Sequence, residues 1–309
     1  MKKFIAASVV ILILLVITEI SLRIFFGLGT PPLMVTDANI GYLYKANQDL
    51  KRFGNRVVYN KYHQRSENLA KNPGYRILMV GDSITNGGAS TDHSDTVTEI
   101  LEHKINQSRE TTGEALNASA GSWGVENEYE YIKKFGTFEA DIVILQIGTH
   151  DLKQPKAVAS VVGTASYPSN NPPLAIWELF TRYVKARVFK KSSRIGKITP
   201  ADEGKQCLKN LNTIKQTIAL TKKSDNAVIA LLIPERAELH KEKNAAQKED
   251  FITLMDEHNI PCINLLDKKF KLEKRYFRDP IHFNKKGNDF IADILYTHIE
   301  TTGLLDRHS

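Results

Sequence analysis

The sequence predicts an α/β fold, a three-layer α/β/α sandwich around a five-stranded parallel sheet, preceded by a helix able to cross a membrane. Three observations carry this. Short apolar runs recur between residues 75 and 265, the first three stopping at small-residue turns, as buried parallel strands do. Between them lie longer stretches with apolar residues at helical spacing, the alternation that packs helices on both faces of a sheet. At the N-terminus an uncharged run follows two lysines.

That run, Phe4 to Thr18 after Lys2-Lys3, falls short of a ~30 Å hydrocarbon core at ~1.5 Å per residue. Continuing through Leu22, Ile24, Phe25, Phe26 and Leu28 gives enough length, with Glu19 and Arg23 near the far interface. A cleaved signal peptide is the rival, because its apolar region is about this short. No small-x-small site follows, however, and a signal anchor over residues 1–28 is favoured. The lysine pair then stays in the cytoplasm and the rest of the chain lies outside, periplasmic or at the cell surface.

The exit from the anchor reads Gly27-Leu28-Gly29-Thr30-Pro31-Pro32, and residues 29–72 are rich in Tyr, Asn and Arg. With one β-like piece, Arg56 to Tyr59, they read as a stalk or extension beside the domain. Arg52, Arg56 and Arg65 are expected on its solvated surface. The domain proper spans 73–303, with a short tail at 304–309.

Within it, Ile77-Leu78-Met79-Val80 reads as a strand, and Val97, Ile100, Leu101 and Ile105 mark a helix stripe. A strand at Ala115 to Asn117 leads into the turn Ala118 to Gly124 and a helix from about Glu126. The apolar strand Ile142 to Ile147 ends at Gly148-Thr149-His150-Asp151. Alternation breaks from about 152 to 200, where Ser166 to Pro173 is loop chemistry and Leu174 to Phe189 is helical and partly apolar; this is read as a lid or substrate wall. It resumes with a helix near Glu203–Lys222, on which Cys207, Leu208, Leu211, Ile214 and Ile218 form a stripe. A strand Val228–Ile233, a helix Ala245–Asn259, a strand Cys262–Leu265 and a helix Lys286–Thr301 complete a flavodoxin-like order. Cys207 and Cys262 are expected as core thiols, with one bridge left open.

The net charge of +7 is spread along the chain, with one denser patch at Lys185, Arg187, Lys190, Lys191, Arg194 and Lys197. No zinc-finger spacing or ribonucleoprotein-type aromatic motif accompanies it, so no nucleic acid is implied.

Chemistry concentrates at two distant places. In Val80-Gly81-Asp82-Ser83-Ile84-Thr85 a strand stops at a bend, which would lift the Ser83 hydroxyl above the carboxyl edge of the sheet. In Arg278-Asp279-Pro280-Ile281-His282-Phe283, Asp279 and His282 are three residues apart around a proline, so the carboxylate could fix the imidazole tautomer and the imidazole could take the proton of Ser83. Asp82 is expected to hydrogen-bond within the loops. The remaining histidines lack any partner pattern, and most are expected at the surface.

This pair of motifs resembles the SGNH (GDSL-type) serine hydrolase family over roughly Tyr75 to Gly303. The resemblance implies the SGNH hydrolase fold and a catalytic Ser83, His282 and Asp279. It also implies an oxyanion hole from the Ser83 N–H, a second-block glycine N–H and a third-block asparagine amide. Two positions depart from that pattern. The usual glycine falls on Ser122, leaving Gly121 as the expected donor, and His150 stands where the asparagine belongs. A neutral imidazole offers one N–H, so His150 is the expected replacement donor. No second histidine is spaced to join His150 and Asp151 in a metal site. Neither metal nor cofactor is implied. The expected activity is hydrolysis of small acyl esters, foremost acetyl, of cell-surface carbohydrate. Acyl transfer to such a polysaccharide is the alternative, and an inactive glycan-binding or scaffold domain the rival. The expected partners are an acylated carbohydrate or other small ester and, through the N-terminal helix, a membrane.

Overall fold

The computed structural model describes residues 1–110, 112–185, 200–224, 226–240 and 245–306. Of the basic patch, Arg187 to Lys197 lie outside these residues, as does His308. The chain opens with α1 (Lys2–Phe26), which buries none of its residues and stops at Gly27 in the left-handed region (φ 64°). It is long and apolar enough to cross a membrane, a test that a signal sequence also passes.

Residues 29–72 form an extension of two hairpins packed against the domain. β1 (Met34–Asp37) pairs antiparallel with β2 (Gly41–Tyr44), and β3 (Gln48–Arg52) with β4 (Asn55–Tyr59). Each turn has its own chemistry. Asp37 Oδ1 accepts the N–H groups of Asn39 and Ile40 at 2.9 and 2.8 Å, and the second hairpin turns on Phe53-Gly54, both at positive φ. Tyr42, Tyr44, Val57 and Tyr59 are buried in the same core cluster as the sheet. Arg52 and Arg65, expected on a solvated surface, are fully buried because oxygen partners surround them. Arg65 donates to the carbonyls of Arg56 and Thr91. Arg52 donates to the Gly27 carbonyl and to the carboxylate of Glu178, whose side chain is only 4% exposed.

The sheet follows the expected alternation. β5 (Arg76–Gly81), β6 (Glu114–Ser119), β7 (Ile142–Gly148), β8 (Ala227–Ile233) and β9 (Cys262–Asn264) are parallel, in the order β6-β5-β7-β8-β9. Side chains alternate between two cores. Ile77, Met79, Ile142 and Ile144 pack with Leu101 and Ile105 of α3 (Val97–Ser108) and with the last helix. Leu78, Val80, Val143 and Leu145 pack with the hairpin tyrosines and with Tyr131 and Ile132 of α4 (Val125–Phe135). The order reverses between β5 and β7, opening a crevice at their carboxyl ends. A short helix after β5, α2 (Ser83–Asn86), stands at that crevice.

In the insertion, α5 (Ala175–Glu178) continues as a π-helical stretch from Leu179 to Val184. Next come α6 (Pro200–Thr221), α7 (Ala245–Glu257) and α8 (Lys285–Thr302). On α6, Cys207, Ile214 and Ile218 are buried, whereas Leu208, expected in the same stripe, is 64% exposed. Residues 207, 214 and 218 share one helical face that excludes 208. Cys207 and Cys262 are free thiols.

The Arg52–Glu178 pair ties the second hairpin to the insertion inside the protein. Removing one member of a buried pair strands the other charge and costs about 3–5 kcal/mol. Arg52→Ala is expected to lower the unfolding free energy of the detergent-solubilised chain by that amount in a denaturant titration. A loss near the ~0–1 kcal/mol of an exposed pair would show that water reaches it.

Candidate active site

β5 ends at Gly81, where a Cβ would lie 2.4 Å from Gln146 Oε1 and 2.5 Å from Thr85 Oγ1, so no side chain fits the bend. Asp82 caps the following turn by accepting the Ile84 N–H at 2.8 Å, and Ser83 is the first residue of α2. At the other end of the domain, Asp279 Oδ1 accepts the N–H groups of Ile281 and His282, each at 2.9 Å. That turn aims the carboxylate at its own neighbour, and Asp279 Oδ2 lies 2.8 Å from His282 Nδ1. His282 Nε2 then lies 2.9 Å from Ser83 Oγ. With Nδ1 donating its proton to Asp279, Nε2 carries the lone pair that accepts the Ser83 hydroxyl. Burial pushes the Asp279 carboxyl up, but the two N–H bonds and the imidazole outweigh it and hold the group below its ordinary value.

The second-block turn is clamped by segments that carry no motif. The Tyr42 hydroxyl donates to the Gly121 carbonyl, the Tyr167 hydroxyl lies 3.0 Å from Ser122 Oγ, and Gln154 Nε2 donates to the carbonyls of Ser122 and Trp123. Tyr42 comes from the first hairpin, Tyr167 and Gln154 from the insertion. The left-handed residue is Ser122, at φ 62°, and not Gly121. This is the conformation a glycine would hold most easily. Among the described residues, the N–H groups of Ser83 and Gly121 have no protein acceptor.

His150 is not placed as a free oxyanion donor. Its Nε2 lies 3.0 Å from Asp82 Oδ2 and 3.4 Å from Asp151 Oδ1. Burial would discharge the ring, but Asp151 and Asp82 outweigh it and push its pKa up to about 10, so it is an imidazolium at neutral pH. Burial alone would raise the Asp82 carboxyl; the His150 bond and the Ile84 N–H bring it below its ordinary value. Glu128, buried behind them, is driven the other way, first by burial and then by the charges of Asp151 and Asp82. Asp82, His150 and Asp151 offer ligand atoms within 4.8 Å of one another, a spacing that also suits a cation. The imidazolium supplies positive charge at that spot itself. Among the other histidines, His93 is buried rather than at the surface, 3.5 Å from an Arg65 nitrogen.

A histidine whose folded pKa is raised stabilises the fold fully below its unfolded value, ~6.5. The contribution is lost as pH rises through the folded value of about 10. The stability gap between the parent and His150→Asn should therefore be widest below about pH 6.5 and close towards pH 10. Urea titrations of both proteins across that range check it; a gap independent of pH would mean that His150 is uncharged in the fold.

With this geometry in hand, residues 79–290 match the GDSL-like lipase/acylhydrolase family. No curated protein matches the chain. Solved structures similar to it include an acetyl xylan esterase, at 17% identity and TM-score 0.47 over 72% of this chain and 99% of that one. Another is a lipase/acylhydrolase from Enterococcus faecalis, at 14% identity and TM-score 0.46 over 74% and 96%. A third is a psychrotrophic esterase from Pseudoalteromonas sp., at 13% identity and TM-score 0.42 over 73% and 97%. The family match runs from the strand before Ser83 into the helix after His282, more than half of the chain. The chain therefore belongs to the GDSL-like lipase/acylhydrolase family and is a carboxylic-ester hydrolase.

Proposed function

We propose that this enzyme hydrolyses small acyl esters, foremost acetyl esters, of carbohydrate on the outer side of a membrane, through an acyl-serine at Ser83. The observation that carries the reading is the unbroken hydrogen-bond chain from Ser83 Oγ through His282 to Asp279. Ser83 Oγ attacks the ester carbonyl while His282 Nε2 takes its proton. The tetrahedral oxyanion is held by the N–H groups of Ser83 and Gly121. As the C–O bond breaks, His282 returns the proton to the departing alcohol. Water, deprotonated by the same imidazole, then attacks the acyl carbonyl; the Ser83 Oγ–acyl bond breaks, His282 returns the proton to Ser83 Oγ, and the acid leaves. Asp279 holds the tautomer throughout. His150 is a positioning residue, acting on Ser83 through the Asp82 cap.

A short acyl group is supported by the crowding beside the second-block turn. The Tyr42 hydroxyl holds the Gly121 carbonyl, and the Tyr44 hydroxyl lies 3.8 Å from where a Gly121 Cβ would stand. Retention of α1 as an anchor is supported by its last turns, which are built into the domain. Glu19 accepts the N–H groups of Ala175 and Ile176 at 2.8 and 3.0 Å, satisfying the start of α5. The Gly27 carbonyl and the Gly29 N–H bond to Arg52 and Glu178. Cleavage among these residues would strand buried polar groups.

A fluorophosphonate probe is expected to label the parent and not Ser83→Ala. His282→Ala should lose about 10²–10⁴ in kcat on an acetylated sugar while remaining folded. A folded parent that never labels would leave a binding domain instead. Acetate moved onto an added sugar acceptor rather than released would make the enzyme a transferase.

A further inference from the structure

Among the described residues, the face of α5 and its π-helical continuation that turns away from the domain has no partner. Ala175 and Glu178 are buried, the latter against Arg52, whereas Leu174, Trp177, Phe180 and Val184 are 50%, 56%, 52% and 40% exposed. An exposed apolar stripe of this kind marks an interaction surface. Its neighbours identify the partner. The start of α5 is held by Glu19 of α1, and Arg23 of α1 donates to the Pro173 carbonyl at 3.3 Å. At the second hairpin, the Phe53 N–H donates to the Phe26 carbonyl at 3.0 Å. Phe53 itself is 40% exposed, and Phe25 and Phe26 are 71% and 48% exposed. The stripe is thus continuous with the apolar exit of α1, and it carries a tryptophan at its centre, the residue favoured where acyl chains meet headgroups.

We propose that the segment 174–184 lies in the headgroup–acyl boundary of the bilayer that α1 crosses, with Trp177 and Phe180 inserted. This rests on α1 being a retained anchor. The buried Arg52–Glu178 pair then acts as the bracket joining the inserted face to the catalytic domain. With one helix crossing the membrane and a second lying along it, the domain loses free rotation about its anchor, and the active site keeps a fixed orientation to the surface.

The test uses the full chain reconstituted in dioleoylphosphatidylcholine vesicles, with and without a lipid brominated along its acyl chains. Trp123, the only other tryptophan, is 1% exposed and bonded to the Tyr42 carbonyl, so Trp177→Phe supplies the background. The expected result is loss of most of the Trp177 emission to the brominated lipid, with little quenching by aqueous iodide. Quenching by iodide and none by the brominated lipid, in chains that resist a carbonate wash, would overturn the interfacial placement while leaving the anchor intact. Release of the chain by the wash would overturn the anchor and this proposal together.

Discussion

The hydrogen bond between Ser83 and His282 joins residues 199 positions apart, and every element of the domain is arranged so that it can form. The two side chains sit in loops, but neither loop sets its own position. Ser83 is fixed by the carboxyl end of β5 and by the Asp82 cap, His282 by the Asp279 turn at the entry to α8. β5 and α8 meet through a shared apolar core of Ile77, Met79, Ile291 and Leu295. Hydrophobic packing supplies the free energy, and the active site uses the precision that packing confers.

Behind that bond stands a second polar layer. Asp82 and Asp151 both approach Nε2 of the His150 ring beside Ser83, and burial pushes the Asp151 carboxyl up to about 7. Such a group is costly to bury unless every charge is matched. A histidine at this position therefore changes what the site depends on. An asparagine would offer a neutral amide at this position, whereas His150 turns its Nε2 to Asp82.

Much of this was legible in the chain. The central strands are legible because buried parallel strands are predominantly apolar, as in Ile142 to Ile147, whereas β6 buries Glu114, Asn117 and Ser119 and is read from its short apolar centre. The Ser83 and Asp279–His282 motifs were legible because each is local, a bend and a proline turn. The two hairpins were not. Gln48-Asp49-Leu50-Lys51-Arg52 lacks an apolar alternation because two of its three inward positions are Gln48 and Arg52, and the buried arginine is matched by a glutamate 126 residues away. Half of the surroundings of His150 were hidden for the same reason: Asp151, which charges it most, is its neighbour in the chain, but the Asp82 that its Nε2 meets is 68 residues distant. Spacing reveals partners that are neighbours along the chain and not those that only the fold unites.

The leading hairpins carry one more consequence, for the order in which the chain acquires structure. Their tyrosines have no core of their own: Tyr42 bonds to Trp123, 81 residues later, and Tyr44 stacks on Tyr59 above a sheet not yet made. As the polypeptide is made, each hairpin can pair within itself, but its buried face is covered only once β5, β6 and β7 exist to receive it. The first part of the globular body to be synthesised thus depends on later strands to bury its tyrosines.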